Sequence, residues 1–125
     1  MTWEFGGSVS WLTLQLAEDT RGGTRLELEH VAHVGDDFWA RFGPGAVGVG
    51  WDMALMGLAW HLETGATADP REAAAWSASD EGKAFTSRSS DDWCRASIAA
   101  GTDESAAKAA ASRTTAFYTG STAEG

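Results

Sequence analysis

Twenty residues from Gly43 to Leu62, GPGAVGVGWDMALMGLAWHL, hold one carboxylate, Asp52, and neither lysine nor arginine. That length matches the ~20 apolar residues of a membrane span. Three features direct the stretch into a protein core instead. Asp52 sits at its centre, which costs about 2.5–3.5 kcal/mol on insertion scales. Five glycines and a proline dilute its hydrophobicity. Its near flanks carry Asp36, Asp37 and Glu63 rather than a Lys/Arg cluster. The stretch therefore predicts a helix buried on more than one side.

At 100° per residue that helix has two apolar faces. Val49, Met53, Met56 and Trp60 form one, and Val47, Trp51, Leu55, Leu58 and Leu62 lie roughly opposite. Between them runs a narrow strip of Gly48, Asp52, Ala59 and Glu63, expected to be an exposed seam, the alternative being a buried acid at Asp52. Two apolar faces require two partner layers. The expectation is that Met53 and Trp60 meet a sheet, while Trp51 and Leu58 meet C-terminal helices.

The flanking sequence supplies both layers. Thr2 to Phe5, Val9 to Leu16 and Thr24 to Val34 have strand character, separated by glycine-containing turns. In the third strand Leu26, Leu28, His30, Ala32 and Val34 share one face, and Arg25, Glu27 and Glu29 the other. A short helix over 36–42 is interrupted by Gly43-Pro44; proline fits the first turn of a new helix, predicted over about 44–63 and stopped by Gly65. Beyond Gly65, alanine, serine and charge replace the strand formers. Asp69-Pro70 starts a helix to about 78, Ser79 or Asp80 caps a second to about 99, and Thr102 caps a third to about Tyr118, with the last five residues frayed.

The whole chain, 125 residues with 43% apolar side chains, suffices for one domain. A net charge of −9 argues against nucleic acid and anionic membranes, since nothing here neutralises a run of phosphates. The single cysteine, Cys94, excludes an intrachain disulfide and a cysteine-rich metal site; with no secretory signal at the N-terminus, it points to the cytoplasm. Seven tryptophans suggest core filling before ligand stacking.

TRLELEH followed by DDFWARFGPGAVGVGWDMALMGLAWHL resembles the end of an SRPBCC domain, the START-like, helix-grip superfamily. The nearest branch is the heat-shock-90 ATPase activator homologue type of actinobacteria, and DPREAAAW through SRTTAFYTG is similar to a C-terminal extension found there. The resemblance implies an α+β fold, a partial helix-grip: a short antiparallel sheet packed on a long helix, with a C-terminal helical extension. It places the START-like part at 1–64 and the extension at 65–125. A full helix-grip domain has further strands and helices before the region present here, so the resemblance also implies a truncated start, or a reduced variant that dimerises through its sheet side.

No catalytic motif accompanies this pattern. Nucleophile elbow, phosphate loop and zinc spacing are all lacking and no cofactor is expected; an enzyme of the polyketide-cyclase kind is a third class open to the superfamily resembled, without a residue set here to carry it. A literal G-x-G-x-x-G falls on 43–48, but proline follows its first glycine and no βαβ unit surrounds it. His30 stands among leucines, either satisfied by a core hydrogen bond or serving as a polar anchor in a pocket. His33 points to the opposite strand face, so the pair does not chelate one metal. Met53, Met56 and Trp60 can line a soft apolar pocket, plain packing being the alternative. Together with the resemblance, these residues predict a small-hydrophobic-ligand module whose site, between sheet and long helix, uses His30, Met53, Met56 and Trp60. The alternative is a protein-interaction module related to heat-shock ATPase activators.

Overall fold

The computed structural model describes residues 1–120, apart from the side chain of Phe5; the expected frayed tail, 121–125, lies outside the described residues. Among the described residues the architecture is α+β, an open three-stranded antiparallel sheet followed by five helices. The chain divides into two compact units, Met1–Gly35 and Asp36–Gly125. Gly35 closes the first unit, and in the second the long helix packs with the C-terminal helices.

The sheet unit holds β1 (Thr2–Phe5), β2 (Ser8–Glu18) and β3 (Thr24–Ala32) in the order β1-β2-β3. Gly6 and Gly7 both have positive φ, the requirement of a two-residue hairpin turn, and Phe5 pairs with Ser8 across it. Asp19 and Gly23 close the second hairpin by a backbone hydrogen bond of 3.0 Å. The register sets Leu12 opposite His30, Leu14 opposite Leu28 and Leu16 opposite Leu26, so the apolar residues share the predicted face. β2 runs two residues beyond its predicted end because Ala17 and Glu18 pair with Arg25 and Thr24.

The helical unit holds α1 (Asp36–Phe42), α2 (Gly45–Thr64), α3 (Pro70–Ala78), α4 (Asp80–Ala99) and α5 (Glu104–Thr119). Local chemistry explains the boundaries. Gly43 takes φ 60° to end α1, with its N–H donating to the Trp39 carbonyl, and Pro44 stands at the N-cap of α2. Gly65 ends α2 in the left-handed conformation, its N–H on the His61 carbonyl. The side chains of Asp69 and Ser79 accept from the Arg71 and Gly82 amides to cap α3 and α4. Asp103, not Thr102, caps α5 by accepting from the Ala106 N–H; Thr102 instead accepts from the Ser97 hydroxyl at 2.8 Å.

Small side chains fill the interior of this unit. Val49 and Thr114 are fully sealed, with Thr86, Ser89, Ser90, Ser97, Ala107, Ala110 and Ala116 also buried. Each buried hydroxyl has a partner: Ser90 donates to the Ala111 carbonyl, and Thr114 to the carbonyls of Phe42 and Ala110. From α5, Arg113 Nε donates to the Arg41 carbonyl at 2.7 Å, meeting an acceptor that α1 leaves open at its C-terminus. Tyr118 reaches α2 and donates its hydroxyl to the Ala46 carbonyl.

The packing of α2 differs from expectation. Leu58 is 42% exposed and Leu62 75% exposed, so the far end of that apolar face stays open. Contact with α4 falls on the narrow strip at Gly48 and Asp52, and contact with α5 on Gly45, Ala46 and Gly50. Gly48 lies so close under Trp93 that a Cβ there would sit 2.1 Å from the ring. One turn on, Asp52 accepts from the Ser89 hydroxyl at 2.6 Å and the Trp93 indole N–H at 3.0 Å. A helix of large side chains cannot bring its backbone this near to an indole; glycine can.

Candidate functional site

The second half of α2 and the facing side of α3 enclose an apolar cleft of about 600 Å³. Met53, Met56, Gly57 and Trp60 recur at helical spacing on one wall, and Ala73, Trp76 and Ser77 form the other. Asp69 and Glu72 add two acidic residues to the lining. The volume falls within the ~300–1,000 Å³ of small-molecule sites. Nothing lies within 4 Å of where a Cβ on Gly57 would stand, so the α2 wall is open at that residue.

The second wall is fixed from behind. Trp76 meets Phe85 of α4 edge-on, with ring centroids 5.6 Å apart. The Trp76 carbonyl accepts from both the Ser79 hydroxyl and the Ser79 amide. Gly82 lets the first turn of α4 pass under this carbonyl, where a Cβ would approach the Trp76 oxygen to 2.0 Å. The cleft is therefore lined by flexible methionines on α2 and by a tryptophan held in one orientation on α3.

The structure brings Met53, Met56 and Trp60 together, and their partner wall is α3. His30 is not among the lining residues. In the sheet unit it is half-buried on β3, with Nε2 2.7 Å from the Ser10 hydroxyl. The Ser10 hydroxyl also reaches the Trp3 carbonyl at 3.3 Å, so His30, Ser10 and the β1 backbone form one hydrogen-bonded chain. The His30–Ser10 bond accounts for a polar residue among leucines. His33 meets Trp11 edge-on at 6.0 Å, on the face opposite His30. The sequence reading missed the whole α3 wall, of which Trp76 is the largest side chain. Its position after Asp69-Pro70, seven residues into a short helix, marked a helix but not the neighbour of that helix.

A smaller cavity of about 170 Å³ lies where the α1–α2 bend meets α4 and α5. Trp39, Trp93, Cys94 and several alanines line it, and its hydroxyls on Ser90, Ser97 and Thr102 are engaged in hydrogen bonds. Among the described residues no three histidine, cysteine or acidic side chains are grouped to hold a metal ion. Nor is any described helix long and apolar enough to cross a membrane. Comparison with protein-family models, curated proteins and solved structures gave no match.

Proposed function

We propose that this protein binds a small apolar molecule in the cleft between α2 and α3. The observation that carries the reading is the convergence of Met53, Met56, Trp60 and Trp76 on one open volume with few polar atoms on its walls. Such a surface gains from burial, roughly 25 cal/mol per Å² of apolar area. The acids of the lining favour a neutral or cationic ligand over an anionic one. The resemblance of TRLELEH and FGPGAVGVGWD to START-like domains supports the same class of ligand, and we extend the proposal to a relative of the helix-grip fold.

Gly57 provides the test. A Cβ at this lining position meets no atom within 4 Å, so Leu there should extend into the cleft. Helix propensity favours Leu over Gly by about 0.8 kcal/mol. Gly57→Leu should therefore raise the melting temperature while abolishing the saturable tryptophan quenching produced by a neutral naphthalene probe. Trp76→Ala should weaken that binding by about tenfold through lost aromatic contact. Undiminished binding by Gly57→Leu would refute the assignment of the cleft.

A further inference from the structure

Among the described residues β3 pairs with β2 alone, so its other side is an edge of the sheet. In an antiparallel ladder successive residues aim their N–H and C=O groups alternately to either side. The closing bond from Asp19 N to Gly23 O fixes the phase, making the odd-numbered residues of β3 the ones that bond β2. The reciprocal bonds between Met1 and Leu12 fix the same phase from the other side of β2. The backbone groups of Leu26 and Leu28 consequently point outward. Nine residues long, β3 contains no proline or lysine, and its charged side chains are Arg25, Glu27 and Glu29.

We propose that this edge pairs with β3 of a second copy of the chain, antiparallel about a two-fold axis at Glu27. In that register Leu26 and Leu28 exchange backbone hydrogen bonds with Leu28 and Leu26 of the other copy. Arg25 stands opposite Glu29, and the symmetry makes the ion pair twice. The strand is self-complementary because its cation and that anion lie two residues either side of one centre. A shift of the axis to Leu28 sets Glu27 against Glu29, like charges directly opposed. A shift to Leu26 runs the ladder into the turn at Gly23. The size of the sheet unit adds a second argument. Units below about 40 residues usually need a disulfide, a metal or oligomerisation. Met1–Gly35 contains no cysteine, and no metal-binding group occurs among the described residues. Doubling the sheet to six strands is one such route. The cost is one contact, Glu27 against Glu27 on the axis.

Sedimentation equilibrium of the full chain at micromolar concentration, with four variants, tests the pairing. A dimer is expected. Arg25→Glu and Glu29→Arg should each weaken it by about tenfold, since each change acts twice. The double swap restores both ion pairs and should return the dissociation constant to within about threefold of the parent. Glu27→Gln should tighten the dimer, a gain that an unfolded variant cannot imitate. Overall repulsion predicts the opposite for Glu29→Arg, which lowers the net negative charge. A monomer throughout the range, a tighter Glu29→Arg dimer or a double swap that stays weak would overturn the proposal.

Discussion

At the scale of single residues, the helical unit depends on two neighbours of the Trp93 indole. Gly48→Ala should destabilise by about 3 kcal/mol, because a ring 2.1 Å from the new Cβ forces α4 away and outweighs the gain in helix propensity. Asp52→Ala should cost about 2 kcal/mol by leaving the Ser89 hydroxyl and the Trp93 N–H without their acceptor. Asp52→Asn should cost only about 1 kcal/mol: both bonds end on one oxygen, which an amide supplies without the charge. Urea denaturation of the three variants checks the order. Burial holds the Tyr118 phenol above its ordinary value, against a smaller opposing effect of the Gly50 backbone. Below the ordinary pKa of about 10 folded and unfolded chains both keep this proton. Above it the unfolded chain releases the proton first, so stability falls as pH rises through the folded value. Melts between neutral and strongly alkaline pH should show that fall in the parent and a shallower one in Tyr118→Phe. None of these roles was legible in the sequence. Gly48 and Asp52 sit between two apolar faces, and the indole they serve is more than forty residues away.

At the scale of elements, legibility was high wherever the controlling chemistry is local. Gly43-Pro44 separates α1 from α2, Asp69-Pro70 opens α3, and Gly6-Gly7 turns the first hairpin, all as their backbone preferences require. Alternation in β3 likewise set the leucines on one face before any register was known. Neighbour relations between helices were not legible, because α2 offers two broad apolar faces and packs on α4 through the narrow strip between them. The expectation that Met53 and Trp60 meet a sheet relied on apolar content; the cleft with α3 follows from a short, alanine-rich helix whose sequence carries little directional signal. The C-terminus of α1 gives this scale its prediction. Its carbonyls at Ala40 and Arg41 accept from Arg113, so Arg113→Ala should cost about 1–2 kcal/mol, while Arg113→Lys recovers part of that through a single donor. Thermal melts of both variants against the parent decide it.

For the whole molecule, the α+β class and the order of the elements followed from punctuation and periodicity, whereas the division at Gly35 did not, since it depends on which elements share an interior. That interior has a thermodynamic consequence. In the helical unit, Val49 is the one buried aliphatic side chain larger than alanine among the described residues, and serine and threonine hydroxyls make up much of the remainder. The heat capacity of unfolding rises with the apolar surface that water newly covers and falls with the polar surface. An interior of methyls and hydroxyls should therefore give an increment below the usual ~12–15 cal/mol/K per residue. Scanning calorimetry of the full chain measures it directly. A small increment flattens the stability curve, so this chain should lose little of its stability on cooling and approach its melting temperature along a gentle slope rather than a steep one.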